Sequence, residues 1–243
     1  MLLKQSAFIS SLFLFLIISC GESPKKSTDK VQENIAKTDT VSQSTLDSTV
    51  VATETNEEEQ PFELTEENAI DFFFDYAKTL KKNKVKLNTT MGSFTIELYD
   101  NVPYHKANFI FLARQKYFDS TQFHRVVKNF IIQGGNSDDK RTAQKRSKIG
   151  RYLLPPDTRK GHKHHRGTIS MPSSERDNPH KLASPYEFFI VVTDPGSYHL
   201  DGSYTPFGRV IEGMDVVDKI NNVPVGDGDW PWKSVYILTA EVL

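Results

Sequence analysis

The sequence is poor in cysteine, in net charge and in hydrophobic residues. Its single cysteine, Cys20, cannot form a disulfide within the chain. The 30 basic and 31 acidic residues nearly cancel, which excludes a chain-wide basic field that would attract nucleic acid. A hydrophobic fraction of 37% is low for a compact domain and predicts that part of the chain is unfolded.

Long hydrophobic runs are also scarce. Residues 7–18 form one such run, which follows Lys4 and is too short to span a bilayer as a stable helix. A basic start and a short apolar segment are typical of a secretory signal. The letters IISC, which end with Cys20, resemble a bacterial lipobox, and the resemblance implies cleavage before Cys20 and acylation of its thiol. The alternative is an ordinary signal peptide with a chance cysteine, but no small-residue cleavage site lies nearby. We therefore predict a signal peptide over residues 1–19 and a lipid anchor on Cys20.

The predicted anchor implies a place in the bacterial cell envelope, facing the periplasm or the cell surface. The outer membrane is favoured because Gly21, rather than aspartate, follows the cysteine. Residues 20–60 are rich in Ser, Thr, Lys, Asp and Glu and contain almost no aromatics. They cannot bury enough apolar surface to offset the loss of chain entropy, so we expect a disordered tether.

Residues 61–83 predict an added amphipathic helix. Thr65 is suited to cap its N-terminus, and Ile70, Phe73 and Leu80 recur at helical spacing. We expect the helix to run from residue 66 to residue 82. Its apolar face either packs on the rest of the domain or docks a partner.

The remaining residues, 84–243, predict many strands and two helices. Strands are expected over 85–88, 94–98, 168–171, 188–192, 207–210 and 235–242, and residues 123–132 are rich in β-branched and aromatic residues. Helices are expected over 104–116 and 213–220. The chain therefore belongs to the α+β class, mainly β, with a barrel as the favoured architecture.

Residues 137–166 are rich in lysine and arginine. We expect a solvated basic loop, although such a run can also bind lipid headgroups or another polyanion. His162, His164 and His165 cluster at its end, but no cysteine or well-spaced acid completes a metal-ligand set, so we predict no metal.

The most informative stretch is residues 123–135, FHRVVKNFIIQGG. It places a guanidinium, an aromatic ring and an amide within eleven residues and ends on a glycine pair that lets backbone approach closely. Together with EFFIV at 187–191, LDG at 200–202 and FG at 207–208, it resembles the cyclophilin-type peptidyl-prolyl isomerases in order and spacing. The resemblance covers about residues 84–243. It implies an eight-stranded antiparallel β-barrel capped by two helices, to which the N-terminal helix is an addition.

The resemblance also implies a reaction that needs no cofactor. A peptide bond resists rotation by ~18–20 kcal/mol because the nitrogen lone pair is delocalised. A catalyst must favour the twisted state, in which the prolyl nitrogen regains its lone pair, and a fixed cationic donor does this. The family assigns that donor to Arg125, with Gln133 orienting it and contacting the substrate backbone, and Phe130 completing the catalytic set.

The resemblance implies a larger set of substrate-binding residues as well. These are His124, Ile131, Pro172, Ser173, Glu187, Phe189, His199, Leu200 and Tyr204. The family usually has glutamine at position 187, so we expect Glu187 either to pair with Arg125 or to select a basic residue in the substrate. Pro172 replaces a residue with a backbone N–H, which removes one donor to the substrate.

These observations predict a peptidyl-prolyl cis-trans isomerase, expected to be monomeric, that acts on X–Pro bonds of exported or unfolded polypeptides. We expect no nucleic-acid partner. One alternative is a non-catalytic lipoprotein of the same fold that holds proline-bearing segments. Another is a polyanion-binding lipoprotein that uses the basic segment.

Overall fold

The structure is a computed structural model that describes residues 63–173 and 178–243. The predicted signal peptide, Cys20 and the tether lie outside the described residues. Within these two ranges, no helix has the length and apolarity needed to cross a membrane.

Eight antiparallel strands close into a barrel in the order β1-β2-β7-β5-β6-β4-β3-β8. Their bounds are β1 Lys84–Thr89, β2 Gly92–Leu98, β3 Gln122–Val127, β4 Ile131–Asn136, β5 Thr168–Ser170, β6 Phe188–Val191, β7 Pro206–Glu212 and β8 Val235–Val242. The barrel confirms the predicted fold class. The segment 123–132 holds two strands rather than one, because the chain turns at 128–130 with Asn129 at a φ of 58°.

The strand sequences show why the barrel has one core and one apolar outer patch. In β8, Val235 and Ile237 point inward and are buried, whereas Tyr236 and Leu238 alternate with them on the exposed face. In β6 every residue is buried: Phe188 lies in the main core, and Phe189 lies in a second cluster on the other face of the strand. This second cluster is where the candidate site lies.

Two helices cover the barrel as expected, α2 (Pro103–Arg114) and α4 (Met214–Asn221). Pro103 stands at the first turn of α2, where its missing N–H costs nothing. Phe109 of α2 packs edge-to-face on Phe188 of the core. α4 packs against β2, β3 and β4.

The N-terminal helix α1 (Ala69–Thr79) is shorter than the predicted 66–82. Thr65 does not cap it, because the Thr65 hydroxyl accepts a hydrogen bond from the Glu67 N–H within a turn that precedes the helix. The helix packs against α2, where fully buried Phe73 meets Phe111. Of the two alternatives for this helix, the contacts favour packing on the domain.

The prediction of a basic loop over residues 137–166 is wrong in part, since residues 140–149 form a further helix, α3 (Lys140–Ile149). Its lysines, arginines and glutamine are good helix formers, and the Asp139 side chain caps its N-terminus by accepting from the Arg141 N–H. The C-terminal end of α3 is joined to the segment before α1: the Leu64 N–H donates to the Ile149 carbonyl at 2.8 Å. The two segments added to the barrel therefore support each other.

Candidate active site

Two adjoining cavities, of about 220 Å³ and about 590 Å³, mark this surface of the barrel. The smaller one is walled by apolar side chains from the second cluster: Phe130, Ile131, Phe189, Leu200 and Tyr204. Its polar rim consists of Arg125, Gln133, Pro172 and Ser173. All nine residues are among those that the sequence predicted, and the fold brings them together.

Three neighbouring strands position the central side chains. Arg125 of β3 is the register partner of Gln133 of β4, and Gln133 is in turn the partner of Phe189 of β6. Cross-strand partners on one face of a sheet lie side by side. The guanidinium, the amide and the aromatic ring are therefore placed in a row by the barrel itself.

The apolar wall is supported by two ring contacts. The Tyr204 ring meets the Phe189 ring edge-on, with centroids 5.5 Å apart. The His199 ring stacks on Phe130 at 5.4 Å, so His199 supports the wall through that phenylalanine.

Behind the wall lies a buried polar brace that the sequence reading did not foresee. The His164 Nδ1 is 2.7 Å from the Asp201 Oδ1, and its Nε2 is 2.9 Å from the Ser170 Oγ. The His164 ring also stacks on Phe189, with centroids 6.1 Å apart. His164 and Ser170 are fully buried, so this trio resembles a hydrolase triad in distances alone and acts as a support for the pocket wall. Burial lowers the pKa of His164, and the Asp201 carboxylate opposes that shift.

The three clustered histidines have different partners. His162 stacks on Tyr99, His164 bonds Asp201, and His165 contacts the Tyr198 hydroxyl at 2.9 Å. Across residues 63–173 and 178–243, no group of three metal-ligating side chains is assembled.

The larger cavity continues the groove away from the apolar pocket. It shares Arg125, Gln133, Pro172 and Ser173 with the smaller cavity. It is further lined by His124, Glu187, Trp230 and Arg146, the last of which is contributed by α3. Arg125 therefore stands at the junction between an apolar pocket and a polar groove.

Of the two alternatives for Glu187, the pairing with Arg125 is wrong. The Glu187 carboxylate accepts from the Gln133 Nε2 at 2.9 Å and from the Asn136 Nδ2 at 3.1 Å. Burial raises the pKa of the Glu187 carboxyl, but the contact with His124, the hydrogen bond from Gln133 and the charge of Arg146 together hold that pKa below its usual value. The carboxylate is therefore ionised and is directed at Gln133.

Arg125 pairs instead with Asp229, a residue that no sequence signal indicated. The Arg125 Nη2 lies 3.3 Å from the Asp229 Oδ2, and the two side chains are 43% and 39% exposed. Asp229 is held at a φ of 63° in the turn that precedes β8, next to Gly228 at 71°. Aspartate tolerates this left-handed conformation better than most residues do.

Pro172 and Ser173 lie at the rim where the chain leaves β5. The Pro172 carbonyl accepts from the Ser184 N–H at 2.8 Å, and Ser173 pairs with Ala183 in an isolated bridge. Residues 172–173 are therefore joined to residues 183–184 beside the pocket rim.

The protein is thus a closed antiparallel barrel with a small apolar pocket, an arginine at the rim of that pocket and an open groove beside it. Comparison with known proteins names the family. The family described as "Cyclophilin type peptidyl-prolyl cis-trans isomerase/CLD" matches residues 84–242.

Curated relatives agree. A peptidyl-prolyl cis-trans isomerase-like 1 from Neurospora crassa is 40% identical over 161 residues, which are 65% of this chain and 93% of the relative. A peptidyl-prolyl cis-trans isomerase from Acinetobacter baylyi is 37% identical over 152 residues, 61% of this chain and 77% of the relative. A peptidyl-prolyl cis-trans isomerase-like 2 from Rhizopus delemar is 35% identical over 166 residues, 68% of this chain, but the match spans 30% of that longer relative.

Solved structures agree as well. The crystal structure of a cyclophilin type peptidyl-prolyl cis-trans isomerase from Cryptosporidium parvum superposes with a TM-score of 0.56 at 26% identity, covering 67% of this chain and 98% of that one. This chain belongs to the cyclophilin-type peptidyl-prolyl cis-trans isomerase family, and its activity is the isomerisation of X–Pro bonds.

Proposed function

We propose that this domain isomerises X–Pro bonds of exported polypeptides from a lipid-anchored position in the cell envelope, with Arg125 as its electrostatic catalyst. The observation that carries the catalytic assignment is the position of Arg125, which lies on the rim of the apolar pocket and on the wall of the adjoining groove. A proline ring in the pocket brings the prolyl nitrogen to that rim.

The pocket walls suit the proline ring. Phe130, Ile131, Phe189 and Leu200 offer apolar surface with no donor that would need a partner. A crystal structure of the relative from Cryptosporidium parvum was determined in the presence of the dipeptide Ala-Pro. The choice of that dipeptide supports a proline-bearing ligand for this chain.

Arg125 then acts on the twisted state. In the planar ground state the nitrogen lone pair is delocalised into the carbonyl and attracts a cation weakly. In the twisted state the lone pair is localised, and the fixed guanidinium stabilises it. Because this attraction is stronger in the transition state than in the ground state, it raises the rate rather than the affinity.

Gln133 and Phe130 complete the proposed catalytic set, with Gln133 contacting the substrate backbone. Nothing in this scheme requires a nucleophile. The fully buried Ser170 and His164 cannot reach a peptide in the groove, so we give them a supporting role.

The envelope setting is supported by the resemblance of residues 17–20 to a lipobox and by the polar composition of residues 20–60. Chains that arrive there unfolded contain X–Pro bonds whose isomerisation takes tens of seconds. A tethered isomerase would accelerate that folding step.

The experiment is exchange NMR on a set of X–Pro peptides with residues 61–243 and the variant Arg125→Ala. We expect the wild type to catalyse exchange and Arg125→Ala to lose most of kcat/KM while its melting temperature is unchanged. Arg209→Ala is the matched control, since Arg209 is also an exposed strand arginine paired with an acid, Glu97, but lies outside both cavities. Full exchange catalysis by Arg125→Ala would overturn the assignment.

A further inference from the structure

Both oxygens of the Glu187 carboxylate accept hydrogen bonds from amide side chains. The Gln133 Nε2 donates to Oε2 at 2.9 Å, and the Asn136 Nδ2 donates to Oε1 at 3.1 Å. Two more nitrogen atoms lie close by: the His124 Nε2 is 3.5 Å from Oε2, and the Arg146 Nη2 is 3.7 Å from Oε1. The acid is thus surrounded by donors on both sides.

This arrangement suits a carboxylate and not an amide. An ionised carboxylate only accepts hydrogen bonds, whereas a glutamine side chain has one accepting oxygen and a donating NH2 group. An amide at position 187 would turn its NH2 group toward either Gln133 or Asn136. One of those two side chains would then have to rotate or lose its partner.

The carboxylate therefore determines which way the Gln133 amide faces. The Gln133 Nε2 must point at Glu187, so its Oε1 points elsewhere, and among the described residues nothing donates to that oxygen. Gln133 lines both cavities, so its free oxygen belongs to the surface that a peptide would cover. An oxygen presented there can accept a backbone N–H of the peptide.

We infer that Glu187 is a positioning residue, which fixes the Gln133 side chain as a hydrogen-bond acceptor for a backbone N–H next to the X–Pro bond. Arg146 supports this arrangement from α3, the helix inserted after β4, by placing a positive charge beside the acid. The inference rests on the proposed contact between Gln133 and the peptide. With four protein donors around it and 18% of its side chain exposed, Glu187 is better placed to hold Gln133 than to bind a basic residue of the substrate.

The first test is the substitution Glu187→Gln, assayed by exchange NMR with saturation in peptide. A misoriented amide loses one hydrogen bond to bound peptide, worth about 1 kcal/mol, so we expect KM to rise about fivefold. Because that bond is made in the ground state and the transition state alike, kcat should stay within about twofold. A KM equal to that of the wild type would overturn the inference.

The second test is a rescue by exchanging the two groups, in the double variant Glu187→Gln with Asn136→Asp. The carboxylate now at position 136 accepts from the amide at position 187, whose oxygen is then free to accept from the Gln133 Nε2. The Ser137 N–H, which donates to the Asn136 Oδ1 at 2.8 Å, can still donate to the carboxylate. We expect KM to return to within about twofold of the wild-type value. A double variant with KM as high as that of Glu187→Gln, with the same melting temperature, contradicts the inference.

The third test separates positioning from structural support. The NMR signals of the Gln133 side-chain amide should shift in Glu187→Gln and return toward their wild-type positions in the double variant. This readout does not depend on catalysis. Peptides N-methylated one at a time on either side of the X–Pro bond should bind wild type more weakly at one site. That loss should vanish in Glu187→Gln. Equal losses for both proteins would show that Gln133 accepts no peptide N–H.

These outcomes are distinguishable from failure of the catalytic assignment. Arg125→Ala is expected to lower kcat, whereas Glu187→Gln is expected to raise KM. If the wild type bound peptides without isomerising them, the dissociation constants from NMR titration would replace KM in each comparison.

Discussion

Arg125 and Asp229 form an ion pair at the entrance of the apolar pocket, with 3.3 Å between Nη2 and Oδ2. One nitrogen of the guanidinium is occupied, while the others remain available, since arginine carries five N–H donors. Asp229 therefore neutralises part of the positive charge of Arg125 but leaves its other N–H groups free to face a substrate.

Removing that acid should raise activity. In Asp229→Asn, Arg125 keeps its position but loses the nearby negative charge. That charge offsets part of the attraction between the guanidinium and the lone pair of the prolyl nitrogen. Pairs exposed to this degree are worth about 0.2–1 kcal/mol, so we expect kcat/KM to rise by about fivefold at most. Added salt should narrow the difference by screening the pair.

Asp227→Asn is the matched control for that measurement, because Asp227 lies in the same turn and pairs with no basic side chain among the described residues. Its kcat/KM should equal that of the wild type. A tenfold loss in Asp229→Asn would instead show that the acid is needed to aim the guanidinium.

Buried His105 should make the domain sensitive to acid. Burial lowers the pKa of His105 to about 3, and neither ring nitrogen has a hydrogen-bond partner among the described residues. In the unfolded chain the pKa is about 6.5, so between these values the unfolded state binds more protons than the folded state. The free energy of unfolding should therefore fall as the pH drops below about 6.5, by up to about 1.4 kcal/mol per pH unit from this group.

Urea titrations at pH 7, 6 and 5 test this expectation. In His105→Leu, the free energy of unfolding should depend less on pH than in the wild type, because the variant lacks the buried imidazole that is neutral in the folded state. His180→Gln, a change at an exposed histidine, should leave the slope as it is. The same slope in His105→Leu and the wild type would rule out His105 as its source.

The contact between Leu64 and Gly150 should hold α1 on the domain. A Cβ at position 150 would lie 1.9 Å from the Leu64 carbonyl oxygen, and the φ of 122° disfavours any side chain. Gly150→Ala should lower stability by about 2 kcal/mol or more and accelerate hydrogen exchange in α1.

Gly161→Ala is the matched control, since Gly161 also has a positive φ, 83°, but a Cβ there meets nothing within 4 Å. It should cost about 1 kcal/mol from backbone strain alone and leave exchange in α1 unchanged. Equal effects of the two substitutions would show that the Leu64 contact contributes little.

Cys20→Ser should release the full-length protein from membranes. The serine hydroxyl cannot carry the thioether of a lipobox anchor, and buried methylenes supply about 0.8 kcal/mol each to membrane attachment. Fractionation and labelling with a fatty acid measure this directly. A variant that stays on the membrane would mean that another part of the chain holds it there.

The sequence by itself determined the family, the barrel and the residues that line the apolar pocket. Arg125, Phe130, Gln133 and Phe189 were identified because the segments that carry them resemble the family motifs in order and spacing. Arg125, Gln133 and Phe189 lie in strands, where side chains alternate between the two faces. Turn signals and β-branched and aromatic runs predicted many strands, and the family resemblance implied that there are eight. Helix boundaries were less well predicted. α1 starts after Asn68, because the Thr65 N–H donates to the Asn68 Oδ1 in a turn that precedes the helix.

Only the tertiary structure decided which groups meet in the groove. Glu187 faces Gln133 and Asn136, which lie 54 and 51 residues away along the chain. Arg125 faces Asp229, which is more distant still in the sequence. Likewise, α3 brings Arg146 to Glu187 in the groove between the strands. Asp201 contacts His164, which lies 37 residues earlier in the chain. No local period or motif encodes such contacts, because they depend on barrel closure and on the direction in which each loop leaves it.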